Sequence, residues 1–351
     1  MNKPYSQQLD LGLGASEQVE GVCSQSMTDS EPTGSNAENF SQTTILDSNA
    51  KSISSIEQGY RGTLLKNESL AHFTTWRVGG RAKQIFKPMD RDDLVRFLRE
   101  LPPEEPVLWL GLGSNALIRD GGFSGTVIVT QGGLKQIECL SDTQVRVDVG
   151  VSCASMARFC ARNGLTGAEF WAGIPGTMGG ALRMNAGCYG SETWSYVESV
   201  ETIRRDGTIQ VRSADSFEVA YRHTQGLAAD EWFLSASCRL PPGDKDIALA
   251  NIKTLLARRA ETQPINEYNC GSVFRNPPGD FAARLIESCG LKGKKIGGAV
   301  VSEKHANFII NQEGLASAAD IEALIHFVRE TVMAEKNIQL AHEIHIIGDA
   351  I

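Results

Sequence analysis

Along the first 58 residues the apolar and polar positions follow neither a period of 2 nor one of 3.6, and eleven serines, scattered acids and a single Phe offer nothing from which to build a core. The pattern changes at Tyr60. Leu94, Val95, Phe97, Leu98 and Leu101 recur at helical spacing behind Asp90, a good capping residue, and the run stops at Pro102-Pro103, which predicts an amphipathic helix. The apolar runs Val107–Leu110 and Thr126–Val129 read as short strands, the first feeding Gly111-Leu112-Gly113-Ser114-Asn115. Together these make a small α/β unit.

Val145, Val147 and Val149 then alternate with polar residues, and Ser152 caps a helix through Met156, Phe159 and Cys160 that Gly164 closes. Val197–Ile203, the Arg205-Asp206-Gly207 turn, Ile209–Val211 and Trp232–Cys238 carry antiparallel strand signals. A third block begins at Asp246 with a helix (Ile247, Ile252, Leu255, Leu256). It continues through a loop holding Ser272, a helix capped by Asp280 and closed by Gly290, and a long helix after Ser317, whose capping box Asp320 completes and which runs to about Lys336. Leu340–Ile347 is the expected final strand and carries Glu343. The organisation expected is a disordered tail over 1–58 followed by blocks at 59–133, 134–245 and 246–351, α+β in class.

Gly173–Gly187 contains five glycines in fifteen residues. Such density serves a helix or sheet poorly and a ligand cradle well, because backbone without Cβ lets N–H groups touch phosphate or ring oxygens. Ile174, Met178, Leu182 and Met184 offer apolar cover for a ring; a tight turn between strands is the bland alternative. Gly111-x-Gly113-x-x-Ala116 formally matches a dinucleotide fingerprint. However, Gly121-Gly122 leaves no room for the following helix, and Gln131–Lys135 holds no carboxylate for a ribose. A phosphate nest, with Ser114 and Asn115 adding side-chain donors, fits these residues better. Two cradles in adjacent units point to one extended ligand, and a flavin dinucleotide has a diphosphate for the first and a tricyclic ring for the second.

Charge and composition narrow the partners. Of a net charge of −8, six units belong to residues 1–58, which carry eight acids and two lysines, so neither part has the basic footprint that nucleic-acid binding requires. No apolar run approaches the roughly 18 residues of a membrane span, and no basic-then-apolar leader is visible, so membrane insertion is not expected. Eight cysteines without a C-x-x-C pair or histidine partners indicate no metal site and read as small core residues of a protein in a reducing cytoplasm.

Some polar residues escape the hydrophobic patterning. Cys270-Gly271-Ser272-Val273-Phe274-Arg275-Asn276-Pro277 gathers a hydroxyl, a cation and an amide around tight-turn residues. Taken alone, Ser272 reads as a loop or capping serine, Glu343 as an edge-strand charge and Arg222 as a surface arginine.

Taken together, the chain resembles the UDP-N-acetylenolpyruvoylglucosamine reductases. The resemblance covers roughly Gly62–Asp349. It rests on Thr74-Thr75-Trp76-Arg77-Val78-Gly79-Gly80, Leu110-Gly111-Leu112-Gly113-Ser114-Asn115, the Gly173–Gly190 run, Tyr221-Arg222, Gly271–Pro277, Ile296-Gly297-Gly298-Ala299 and Glu343–Gly348, in that order. It implies an FAD-binding fold of the vanillyl-alcohol-oxidase/PCMH type in two subdomains, followed by an α+β substrate domain. FAD would be held by Arg77, Gly111, Gly113, Ser114, Asn115, Gly173, Ile174, Pro175, Thr177, Gly179 and Gly180. Tyr221, Gln263 and Asn276 would bind the substrate. The family's longer subtype has a tyrosine-bearing loop after Tyr-Arg; here only Thr224–Asp230 precedes the next strand, so the chain looks like the shorter subtype. Where the longer subtype reads Arg-x-x-Lys-x-Pro, this chain has Arg259-Ala260-Glu261-Thr262-Gln263-Pro264, which leaves Arg275 and Lys304 as candidates to neutralise a UDP diphosphate.

By the same resemblance, NADPH reduces bound FAD, the hydride passes to the vinyl carbon of UDP-N-acetylglucosamine enolpyruvate, Arg222 and Glu343 stabilise the charge that develops, and Ser272 delivers the proton. The product is UDP-N-acetylmuramate, a precursor of bacterial peptidoglycan. A flavin oxidase of the same fold and a non-catalytic flavin- or sugar-nucleotide-binding protein are the alternatives. Because residues 1–58 lie outside the resemblance, deletion to about Ser55 is expected to leave flavin content and turnover nearly unchanged; a large loss of either in the purified truncation would show that the tail packs on the catalytic body.

Overall fold

Thr63–Ser69 (β1) and Arg81–Lys87 (β2) pair antiparallel, with Thr63 opposite Lys87, at the start of the region that the computed structural model describes, residues 59–351. The tail expected over 1–58 lies outside the described residues. Asp90 then accepts the Asp93 N–H at 3.0 Å and starts Arg91–Glu100 (α1), whose Leu94, Phe97 and Leu98 are buried as the spacing predicts. Val107–Leu110 (β3) and Phe123–Val129 (β5) complete a sheet of order β1-β2-β5-β3. Ala116–Ile118 (β4), between them in sequence, leaves that sheet.

Ile137–Cys139 (β6) and Gln144–Asp148 (β7) open a second sheet, and Ser152 caps Cys153–Arg162 (α2) by accepting the Ser155 N–H at 3.1 Å. Part of the glycine-rich run, Met178–Met184, is a helix (α3), contrary to the expectation that its glycines disfavour one. Gly179 lies where a Cβ would be 3.0 Å from that of Val149, so the missing side chain lets this helix lie close to the neighbouring backbone. Met178 and Leu182 consequently point into the core and give no cover to a ligand ring. Gly187–Cys188 (β8) pairs with Ser191–Glu192 (β9). Then Val197–Arg204 (β10), Ile209–Ser213 (β11), the hairpin Glu218–Ala220 (β12) and His223–Gln225 (β13), and Glu231–Arg239 (β14) follow. The second sheet has the order β11-β10-β14-β7-β6.

Lys245–Thr262 (α4) is capped by Asp244, which accepts the Asp246 and Ile247 N–H groups at 2.8 and 2.9 Å, so the helix starts before Asp246. Although the sequence places it with the third block, α4 packs on α2, and its Ala248 and Ile252 join the core of the second. Tyr268–Asn269 (β15), Ala282–Ser288 (α5), Lys295–Ile296 (β16), Ala299–Val301 (β17), Ile309–Asn311 (β18) and Ala318–Lys336 (α6) follow, the four strands in the order β15-β18-β17-β16. Ser317 and Asp320 form the expected capping box on α6. Asp280 does not cap α5: it accepts from Phe281 N and pairs with Arg284, while Asn276 Oδ1 takes the Ala282 N–H at 3.0 Å. The last strand is shorter than the apolar run suggests, His345–Ile347 (β19), and leaves Glu343 just ahead of it. It pairs in parallel with β4, His345 opposite Ala116, and so returns the C-terminus to the first unit. Among the described residues no helix is long and apolar enough to cross a membrane.

The cores cross the block boundaries. One joins Leu94, Phe97 and Ile128 to Val145, Met156 and Leu234; another joins Trp76 and Leu117 to Phe274 and α6. Cys153, Cys160, Cys238 and Cys270 are buried within them, whereas Cys139 is exposed. A charged cluster also fastens α1 to the second sheet. Arg91 and Arg146 both bond to Glu201, Ser235 donates to the same carboxylate, and buried Asp148 lies 3.3 Å from Arg146 and 3.5 Å from Arg91. Burial pushes the Glu201 carboxyl up, but the hydrogen bonds from Arg91, Ser235 and Arg146 outweigh it and hold the group at about 2.

Glu201→Ala leaves two arginines without their shared acceptor. Its Tm at pH 7 is expected to fall by roughly 2–6 °C, less than for a fully buried pair because solvent reaches part of this cluster. Because the folded-state pKa is depressed, the contribution of Glu201 is complete above its ordinary value and disappears as pH falls toward about 2, so the Tm gap between variant and wild type should close over that interval in thermal melts.

Candidate active site

Gly111–Asn115 links β3 to β4 and meets the second glycine run directly. A Cβ on Gly111 would lie 2.2 Å from Thr177 Oγ1, and one on Gly113, at φ +66°, would lie 2.1 Å from the Phe73 carbonyl. Among the described residues, no backbone N–H from Gly111 to Asn115 donates to a protein acceptor. Successive N–H groups left free in this way form an anion-binding concavity. The second loop is pinned by Cys153 N to Gly176 O, Met178 N to Val151 O and Gly179 N to Val149 O, each at 2.9 Å. A Cβ on Gly180 would meet nothing within 4 Å, so this glycine faces open space.

Both loops line a cleft of about 740 Å³. Arg222, Ser272 and Glu343 converge at one part of it. Arg222 forms the turn of the β12–β13 hairpin at φ 54°, a left-handed conformation uncommon outside glycine. Its Nε donates to Glu343 Oε1 at 2.7 Å and its Nη2 to the Gly187 carbonyl at 2.8 Å; Arg275 Nη2 donates to the Arg222 carbonyl at 3.4 Å. Glu343 N donates to Val273 O at 2.8 Å, which sets the carboxylate beside the Ser272 loop, and Asn115 Nδ2 donates to the Glu343 carbonyl at 3.1 Å. Gly271 turns that loop at φ +75°. The Ser272 hydroxyl makes no hydrogen bond to any described residue.

Burial pushes the Glu343 carboxyl above its usual range, even though the adjacent Arg222 pulls the other way. His345, also in the cleft, has its Nε2 3.2 Å from Met184 Sδ. Burial, with Arg183 and Arg275 nearby, lowers its pKa and favours the neutral imidazole.

Of the residues expected at a site, Gly111, Gly113, Ser114, Asn115, Gly173, Ile174, Pro175, Thr177, Gly179, Gly180, Arg222, Gln263, Ser272 and Glu343 line this cleft, and Arg77, Tyr221 and Asn276 do not. Arg77 is exposed at φ 60°, with Nη1 donating to His72 O at 3.0 Å; it shapes the turn before Gly79-Gly80. Tyr221 is half exposed beneath the Arg222 guanidinium, 5.0 Å from the ring centroid, and Asn276 caps α5. Neither cation proposed for a diphosphate lines the cleft: Arg275 buttresses Arg222, and exposed Lys304 donates to the Ala260 carbonyl. Arg259, which sequence reasoning passed over, does line it. It comes from the last turn of α4, has no carboxylate partner among the described residues, and donates to Gln263 Oε1 at 3.1 Å, the i, i+4 spacing that was the available signal.

Two sheets with interlocking glycine loops between them, followed by a smaller α+β unit that brings a serine and a carboxyl into the same cleft, define a flavin-dinucleotide-binding protein of the oxidoreductase class. A family model for an FAD binding domain matches residues 82–213, and one for the C-terminal domain of UDP-N-acetylenolpyruvoylglucosamine reductase matches residues 263–347. The chain is 69% identical over 290 residues to the UDP-N-acetylenolpyruvoylglucosamine reductase of Legionella pneumophila (strain Lens), covering 83% of this chain and 94% of the relative. It is 55% identical to that of Methylococcus capsulatus over 83% of this chain and 95% of the relative. The crystal structure of the reductase from Thermus caldophilus matches with a TM-score of 0.70 at 30% identity, over 82% of this chain and 99% of that one. The chain belongs to the UDP-N-acetylenolpyruvoylglucosamine reductase family.

The glycine surroundings separate two substitutions that the sequence treats alike. Gly180→Val points into the cleft and is expected to melt like the cofactor-free wild type while retaining little flavin. Gly113→Val collides with backbone at a left-handed position and should lose thermal stability as well as flavin. Flavin absorbance and apoprotein melts of the two variants check this, and full occupancy in Gly180→Val would contradict the placement.

Proposed function

We propose that this chain reduces UDP-N-acetylenolpyruvoylglucosamine to UDP-N-acetylmuramate with NADPH, using bound FAD, in the cytoplasmic synthesis of peptidoglycan precursors. The observation that carries the proposal is the meeting of Arg222, Glu343 and Ser272 in the cleft that holds the free N–H nest. The nest fits a diphosphate, and the open side of Gly180 leaves room for a ring, so the residues present suit FAD. When bound, the flavin supplies hydride transfer between NADPH and the enolpyruvyl double bond. The blocks at 59–133 and 134–245 would hold it and 246–351 would take the sugar nucleotide, with α4 seated on the second block.

The rest of the chemistry falls to the chain's own side chains. Hydride addition at the terminal vinyl carbon leaves negative charge on the carboxylate side of the substrate. A protonated Glu343 beside Arg222 gives that pair a net charge of +1 and a carboxyl donor, whereas an ionised one would cancel the arginine. Burial of Glu343 favours the former. Ser272 Oγ, without a hydrogen-bond partner among the described residues, gives its proton to the carbon bearing the ether oxygen and recovers one from solvent, which balances the reduction. Arg259 supplies a countercharge for the diphosphate in place of the lysine absent from its motif, beside Gln263. Tyr221 serves the substrate from the rim of the hairpin, and Asn276 and Arg77 act through the loops they hold.

Ser272→Ala tests the assignment, because proton delivery belongs only to the second half-reaction. Stopped-flow traces are expected to show flavin reduction by NADPH nearly unchanged and reoxidation by the enolpyruvyl substrate slowed by roughly 10²- to 10⁴-fold, with Ser272→Cys retaining part of the rate. Equal slowing of both halves would make Ser272 a positioning residue. Reoxidation by dioxygen faster than by the enolpyruvyl compound would identify an oxidase instead.

A further inference from the structure

We infer that Trp109 and Trp232 form the wall against which the adenine of the dinucleotide packs, with Trp109 Nε1 donating a hydrogen bond to a ring nitrogen of that base; this rests on the flavin reading above. Trp109 stands on β3 two residues before Gly111, at the entry to the N–H nest, and its indole stacks on Trp232 of β14 with ring centroids 5.2 Å apart and planes 15° from parallel. Both side chains line the cleft. Asn115, at the far end of the nest, donates to the Glu343 carbonyl, so the chain runs from Trp109 through the nest to a contact with the segment that carries Glu343. A dinucleotide carries its ring system on one side of the diphosphate and its adenine on the other.

The second observation is an orphaned donor. Trp109 Nε1 is buried with no hydrogen-bond partner among the described residues, whereas Trp76, Trp171 and Trp194 donate to Ile309 O, Thr193 Oγ1 and Leu182 O at 2.7, 3.1 and 2.8 Å. A buried indole N–H left unpaired is costly, and a ligand acceptor at the cleft wall removes the cost. Among the described residues no uncommitted carboxylate stands beside the tryptophan pair. Glu231, the acid beside Trp232, spends its oxygens on Thr202, Gln210, Arg212 and the Ala228 N–H. Recognition at this end therefore falls to stacking and to the buried, unpaired Trp109 donor.

The test is titration of the full-length deflavo-protein with FAD and with FMN, which lacks the adenylate, followed by calorimetry. Wild type is expected to bind FAD more tightly than FMN. Trp109→Phe, which keeps a ring and loses the donor, should weaken FAD about tenfold, and Trp232→Ala roughly ten- to a hundredfold, with FMN affinity changed less than about twofold in both and Trp232→Phe restoring most of the loss. Equal weakening of both flavins, unchanged FAD affinity in Trp109→Phe, or a raised KM for the sugar nucleotide with flavin affinity intact would overturn the inference. Failure of the wild type to bind either flavin would overturn the flavin reading itself.

Discussion

The contact on which the rest of the site depends is the one between the two glycine loops. Gly111 sits where any Cβ would occupy the position of Thr177 Oγ1, and Gly113 presses on the carbonyl of Phe73. One contact is to a side-chain oxygen and the other to backbone, and the N–H groups from Gly111 to Asn115 are left with no acceptor among the described residues. Unpaired donors in a concave site are tolerable only where water or an anion reaches them, so the same close approach that joins the two sheets also makes the binding site. The charged cluster around Glu201 holds α1 against the second sheet.

A second constraint ties the third unit to that site. β19 pairs with β4, the strand leaving the first glycine loop, and delivers Glu343 to Arg222, a residue 121 positions earlier in the chain. Arg222 holds a left-handed backbone conformation that costs about 1 kcal/mol or more, and two carbonyl contacts and one carboxyl contact fix it there. The guanidinium is thus preorganised in a largely buried setting, where a fixed donor acts strongly on developing charge. Burial raises the pKa of Glu343, and the adjacent Arg222 opposes that rise without cancelling it.

Part of the site was legible because its chemistry is written in residue type. Glycine density and the Ser114-Asn115 pair led to the cleft, whereas Arg222, Ser272 and Glu343, bland when taken singly, stood out only through the order of motifs that the chain shares with its family. For Arg259 the only local signal was its i, i+4 spacing to Gln263, which does not by itself tell a cleft-facing arginine from one packed elsewhere. Asn276 illustrates the reverse: an amide in a promising motif is used to satisfy the N–H of Ala282.

By itself the sequence determined the elements whose signals are local. Asp90, Ser152 and Ser317 cap the helices they precede because a side-chain oxygen reaches an N–H two or three residues ahead whatever the tertiary context. Tertiary structure decided what depends on close approach between distant segments. It made a helix of Met178–Met184, since Gly179 could then pack on Val149; it seated α4 on α2; and it shortened the last strand to the residues that β4 could pair. Those outcomes turn on which surfaces meet, and a chain read in order carries residue types and spacings but no record of which distant backbone will press against which glycine.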